Sequence, residues 1–182
     1  MIKQLLGLLI GFAAIALPKK ASASIPKPGD GPLPHFGPAV VEGWQVPLRA
    51  RKRAAPYLDA IRQAEDRYAL PRGLLKRLLW QESRFRPEII NGALKSEDGA
   101  TGIAQIIPRW HPGAVPTDPF HSIDYAASYL RRLHNRFGDW PEALAAYNWG
   151  PTNLSKVQGD WLQGPLETRT YVSGILRDTG LA

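Results

Sequence analysis

The residue type and position that could do chemistry are those of Glu82. Leu74, Leu75, Leu78 and Leu79 recur at the spacing of one helical face, and Glu82 falls three and four residues beyond the last two, on the same stripe. A carboxylate stands where a Leu is expected. Desolvation against an apolar face disfavours its charged form, and so does the partial negative charge of a helix's last turn. Helical spacing places Lys76 and Arg77 on other faces, so the sequence sets no cation beside it. A carboxylic acid still protonated near neutral pH can hand a proton to a leaving oxygen, which is the work of a general acid. Taken alone, a Glu at a helix end more often caps the helix or holds a surface ion pair. The surrounding residues must therefore decide.

Composition narrows the chemistry. At 182 residues and 44% hydrophobic content, the chain suits one core-forming domain plus extensions. It has no cysteine, so disulfides, thiolate metal sites and lipidation at a cysteine are not options. His35, His111, His121 and His134 are dispersed without ligand spacing, and neither a metal nor a cofactor is expected. The formal charge of +7 falls to +4 without residues 1–23, which carry Lys3, Lys19 and Lys20 and no acid. Such a charge suits an acidic polymer or a membrane surface, and a nucleic-acid partner is not expected.

The elements that must position Glu82 follow from the pattern. Residues 1–23 read as a secretory signal: a basic start, a thirteen-residue apolar run from Leu5 to Leu17, and cleavage after Ala21-Ser22-Ala23. Export to the periplasm or cell envelope is the expected location. Lys19 and Lys20, between the run and the cleavage site, keep an uncleaved membrane tether as the alternative. Residues 24–53 are rich in Pro and Gly and read as a linker with a basic end at Arg49, Arg51, Lys52 and Arg53. The folded domain is expected over 54–182. Tyr57, Leu58, Ile61 and Ala64 make the face of a first helix, and Pro71 suits the start of the helix that delivers Glu82. Asp118 and Pro119 open a long helix with Ile123, Ala126, Ala127, Leu130, Leu133 and Phe137 buried, ending at Gly138. Asp139 to Glu142 resembles a capping box for a helix running to Trp149. Pro165 opens a last helix with the face Leu166, Tyr171, Val172, Ile175 and Leu176. Period-two alternation is missing, although the loop from Asn91 to Ala104 has room for a small hairpin. The fold class is mainly α, with at most that hairpin.

Four motifs then occur in one order. They are Gln81-Glu82-Ser83 with Phe85 and Pro87; Gly99-Ala100, Gly102-Ile103 and Gln105-Ile106 with Pro108; Ala146-Tyr147-Asn148 with Gly150-Pro151; and Glu167-Thr168 with Tyr171-Val172. Together they resemble the soluble-lytic-transglycosylase family, over roughly Leu58 to Leu176. The resemblance implies a lysozyme-like α+β domain that cleaves bacterial peptidoglycan glycan strands. It puts the catalytic acid on Glu82 and a supporting hydrogen bond to acid or sugar on Ser83. It puts the sugar-contacting loop on Gln105, the opposite wall on Tyr147 and Asn148, and a site-closing residue on Tyr171. Glu167 matches a carboxylate with a structural role. One departure is plain: the family's loop usually reads Gly-Leu-Met-Gln, and this chain has Ala104 at the Met position, which is expected to remove apolar contact with the substrate.

Ordinary glycosidases use two carboxylates. The route the resemblance implies uses one Glu twice, first as acid and then as base, and ends in a 1,6-anhydromuramic sugar. Two alternatives stand beside it. A goose-type lysozyme-like hydrolase would position water with a loop acid, Glu97 or Asp98, and a non-catalytic peptidoglycan-binding module would keep only the fold. A wall-remodelling enzyme, the wall-opening part of a secretion or conjugation machine, and a phage lysis or entry protein all fit the sequence.

Overall fold

The computed structural model describes residues 44–181, so the export signal and most of the Pro/Gly segment lie outside the described residues. Packing begins earlier than residue 54. Val46, Ala50 and Ala54 are buried in the same core as the helices that follow, through a 3-10 turn and the short helix α1 (Arg51–Ala54). Alanines spaced by four put one small, close-packing face inward while Arg49, Arg51 and Arg53 stay in solvent. The last ten residues assigned to the linker from composition are thus part of the folded unit.

Helix α2 (Leu58–Arg67) buries Ile61, Ala64 and Glu65, while Leu58, expected on that face, is 36% exposed. Its buried acid serves the next helix, α3 (Leu74–Ser83). Gly73, the residue before α3, has φ 87° and no capping side chain of its own. Glu65 supplies the cap from α2, accepting from the amides of Gly73 at 3.0 Å and Lys76 at 3.2 Å. Two orphan donors and the positive end of the α3 dipole are satisfied by one carboxylate. Leu74, Leu75, Leu78 and Leu79 are fully buried, each contributing roughly 1.5–3 kcal/mol. Helix α3 is pinned along its length, and Glu82, in its last turn, is carried by a rigid element.

A short α4 (Pro87–Ile90) follows, then a loop in which an isolated bridge between Thr101 and Ile106 stands where a hairpin had room. Helix α5 (Pro119–Phe137) starts on Asp118, whose Oδ1 accepts from the amides of Phe120 at 2.9 Å and His121 at 3.1 Å, and ends on Gly138 at φ 94°. Helix α6 (Trp140–Trp149) is buried on all sides at Ala143 to Ala146 and packs against α5, against α7 (Pro151–Lys156) and against α8 (Leu166–Thr179). Asp139 caps α6 through the Trp140 amide at 2.7 Å. Leu166 opens α8 but is 70% exposed, because the buried stripe of that helix begins one residue pair later at Thr168 and Tyr171. The described residues form a mainly helical lysozyme-like domain, with the Thr101–Ile106 bridge in place of a strand.

Candidate active site

Glu82 is the penultimate residue of α3 and is 9% exposed. Its Oε1 accepts a hydrogen bond of 2.6 Å from the Tyr171 hydroxyl on α8. A second tie fixes the register of the two helices: Arg77 Nε donates to Asp178 Oδ2 at 2.8 Å, earlier on α3 and later on α8, so the helices run antiparallel. Burial first, and then the charge of Glu82, push the Tyr171 phenol well above its ordinary value. Tyr171 therefore stays a donor towards the carboxylate throughout the physiological range.

Tyr147 approaches from α6. Burial and the Glu82 charge raise its phenol in the same way, and its hydroxyl donates to the Ala104 carbonyl at 2.9 Å. One neutral phenol thus bonds the carboxylate, and a second, on another helix, lies within its electrostatic reach. The helical wheel sets no cation near Glu82, yet Arg84 interacts with it electrostatically. The wheel stops being a guide there, because Arg84 leaves the helix in the left-handed region at φ 52°.

Ser83 is fully buried and contacts no open space. Its Oγ donates to the Leu79 carbonyl at 3.1 Å and accepts from the Phe85 amide at 3.2 Å. It holds the reversal in which Arg84 and Phe85 both have positive φ, and the sugar contact expected of it is not available in this arrangement.

The loop opposite is built on one close approach. A Cβ at Gly102 (φ 81°) would lie 1.8 Å from the Pro116 carbonyl oxygen, so no side chain fits there. The turn leads to Gln105 at φ 47°, whose amide and Nε2 both donate to the Gly102 carbonyl at 3.1 Å. Ala104 is fully buried in the core. It is not among the residues lining the cleft described below, and what it offers the site is the carbonyl that holds Tyr147. On α6, Asn148 Oδ1 accepts from Thr168 Oγ1 of α8 at 2.8 Å.

Some of these parts border a cleft of about 730 Å³. Gln105, Tyr147 and Asn148 line it, and Glu82, Ser83 and Tyr171 do not. Tyr147 lines the cleft and also feels the charge of Glu82. Tyr125, Tyr129, His111, Trp110 and Trp149 add aromatic surface that can cover sugar faces. Of the two loop acids, Asp98 lines the cleft with Arg109 Nη2 at 4.0 Å, and Glu97 is exposed outside it. Glu167 also lines the cleft. Sequence reasoning missed Glu65, the Arg77–Asp178 tie and the Tyr125–Tyr129 wall. The tyrosines carry a signal, being one turn apart beside the buried stripe of α5, whereas the partners of Glu65 and Arg77 become neighbours only on folding.

Residues 59–161 match the family model described as Transglycosylase SLT domain. The chain is 32% identical over 134 residues to membrane-bound lytic murein transglycosylase C of Haemophilus influenzae (strain PittEE), an alignment covering 62% of this chain and 35% of that protein. It is 26% identical over 157 residues to membrane-bound lytic murein transglycosylase C of Shigella sonnei (strain Ss046), covering 74% of this chain and 42% of that one. With membrane-bound lytic murein transglycosylase F of Alcanivorax borkumensis it shares 36% identity over 112 residues, covering 56% of this chain and 23% of the relative. The aligned part spans about a third of the length of the first of these relatives. With more than half of its length under one family model, from the helix before Glu82 to the helix after Asn148, the chain belongs to the Transglycosylase SLT domain family.

Proposed function

We propose that this chain is a peptidoglycan lytic transglycosylase with Glu82 as its single acid and base. The observation that carries the reading is the Glu82 carboxylate, nearly buried at the end of a pinned helix, bonded to Tyr171 at 2.6 Å and within electrostatic reach of Tyr147, which lines an aromatic cleft. Glu82 protonates the glycosidic oxygen between N-acetylmuramic acid and N-acetylglucosamine, and the bond from that oxygen to the muramic C1 breaks. The Tyr171 hydroxyl stabilises the carboxylate that this step leaves. That carboxylate then takes the proton of the muramic C6 hydroxyl, whose oxygen closes on C1 to give the 1,6-anhydro ring. Neither water nor a second carboxylate enters the product. Gln105, Tyr147 and Asn148 are the residues assigned to hold the sugars, Tyr171 holds the acid, and Ser83 supports the turn that follows it.

Asp98 in the cleft is the specific observation that keeps a hydrolytic reading in view. Product mass separates the two: the anhydro end is one water lighter than a reducing end. Digests of purified peptidoglycan are expected to give anhydro ends, with Asp98→Asn leaving the rate within about threefold. Reducing ends, lost with Asp98→Asn, would establish a lysozyme. Glu82→Gln keeps the shape and lacks the proton, so cleavage should fall by at least about 10²–10⁴ while the circular dichroism is unchanged.

The proposed location is the cell envelope, reached by export. Support comes from the wall substrate of the proposed reaction and from the signal pattern of residues 1–23. Among the described residues no helix is long and apolar enough to cross a membrane. A role within secretion, conjugation or phage machinery belongs to the same proposal, and co-purification from envelopes with cross-linked partners would test it.

A further inference from the structure

The basic stretch at the start of the domain lines no part of the aromatic cleft. Residues 44–58 hold Arg49, Arg51, Lys52 and Arg53 and no acid. With Ala50 and Ala54 fully buried, helical spacing turns Leu48 and Lys52, one turn apart, to the outer face, with Arg49 and Arg53 on one flank and Arg51 on the other. All four cations are exposed, and Leu48 among them is 78% exposed. Among the described residues no ion pair joins these cations to a carboxylate. Arg51 and Arg53 bond carbonyls instead, Arg51 Nε that of Val46 at 3.2 Å and Arg53 Nη2 that of Arg84 at 3.5 Å. The second bond brings in Arg84, exposed and 5.0 Å over the Trp80 ring, so a fifth cation adjoins the face. Glu88 is within electrostatic reach of Arg53 but is paired with Arg86 at 2.6 Å.

We infer that this face is a peripheral membrane surface, on which Leu48 enters the headgroup region of an anionic bilayer while Arg49, Arg51, Lys52 and Arg53 meet the lipid phosphates. The charge of the face selects an anionic partner, and its form selects a fluid one. A partner protein engages separate cations only through a matching set of fixed acids, whereas lipid phosphates move to each guanidinium or ammonium in turn. A leucine set among cations has no counterpart in a purely polyanionic ligand, and a leaflet accepts both. Among the described residues no helix is long and apolar enough to cross a membrane, so the hold is on the surface. Neither Glu82 nor the cleft is involved, and the surface is independent of the transglycosylase reading.

The test is sedimentation of the full chain with sucrose-loaded vesicles at about 0.1 M salt, where charges more than about 10 Å apart are largely screened. Vesicles of phosphatidylcholine give the binding that owes nothing to lipid charge. Vesicles with about 30% phosphatidylglycerol add the contribution of the face, roughly fivefold in partitioning for each cation near the leaflet. R49Q/K52Q/R53Q should therefore lose on the order of 100-fold on the anionic vesicles. K95Q/K156Q/R169Q removes the same charge from exposed positions in the loop after α4, in α7 and in α8, and should lose less than about threefold. R49Q/K52Q spares the Arg53 bond to Arg84 and should lose about 25-fold, which keeps the result readable if circular dichroism shows the triple variant unfolded. Because the chain has no cysteine, L48C takes a single environment-sensitive label, whose emission should shift to the blue on anionic vesicles. Polyglutamate supplies charge without a leaflet and should leave the label unmoved. Equal binding to both kinds of vesicle, equal losses in the two triple variants, or a label that keeps its aqueous emission on anionic vesicles would overturn the membrane surface. Polyglutamate that shifts the label as far as the vesicles do would overturn it too, and would assign the face to an acidic protein.

Discussion

At the scale of single residues, Glu82 is defined by the group it touches. A buried carboxylate that accepts 2.6 Å from a phenol can be left ionised after giving up its proton, because the phenol replaces the water that burial removed. Tyr171→Phe deletes that donor and little volume. It should lower kcat about 10- to 100-fold and cost about 1–2 kcal/mol of stability, measured by product release and by denaturant melts. Unchanged kcat in a folded Tyr171→Phe protein would remove Tyr171 from the site. Gly102 is the other residue on which the site depends. Gly102→Ala places a methyl against the Pro116 carbonyl and strains a positive φ, so the Gln105 loop must shift. A stability loss above about 2 kcal/mol with loss of glycan affinity is expected, and a fully active Gly102→Ala enzyme would contradict the close approach.

At the scale of elements, α3 is held at both ends by groups from other helices. Glu65 of α2 caps its start, and Tyr171 and Asp178 of α8 bind its side chains at Glu82 and Arg77. Burial raises the Glu65 carboxyl above its ordinary value despite the two amides that lower it. A raised acid binds protons more readily folded than unfolded, so on linkage grounds Glu65 opposes stability as pH rises through its titration and favours it below. Replacing it tests the cap directly. Glu65→Ala leaves two buried amides without an acceptor and should destabilise by about 1–3 kcal/mol, with the loss seen first as faster hydrogen exchange at Gly73 and Lys76. Uniform exchange across the domain would mean that the cap does not hold α3 locally.

At the scale of the whole molecule, the buried phenols set an alkaline limit. Tyr147 and Tyr171 titrate well above 10.0 when folded and near 10.0 when unfolded. Their folded values are raised, so their contribution is complete below pH 10 and is lost as the pH climbs from there through the folded values. Thermal melts should fall steadily above about pH 10, and less steeply in a Tyr147→Phe, Tyr171→Phe double variant. An identical slope would place the alkaline loss elsewhere. The export proposal also belongs at this scale. N-terminal sequencing of exported protein should begin at Ser24, and a mature chain beginning at Met1 would support a membrane tether.

The sequence by itself determined the longer helices and singled out Glu82 as the residue proposed to be the acid. The leucine stripe, Asp118 with Pro119, Gly138 and Pro165 are local signals, because a helix's face and ends depend on residues within one or two turns. Glu82 was legible for the same reason, as a break in a local period. The motif order was enough to place Gln105, Tyr147, Asn148 and Tyr171 in one family pattern. Tertiary structure alone decided what those residues touch: that Ser83 turns inward to Leu79 and Phe85, that Ala104 is buried, that Arg84 comes within reach of Glu82, and that residues 44–53 belong to the core. Each depends on a backbone reversal or on a partner distant in the chain, such as Glu65 for Gly73 or Tyr171 for Glu82. Side-chain periodicity carries no information about which helix will lie opposite. That choice is made only when the faces pack together.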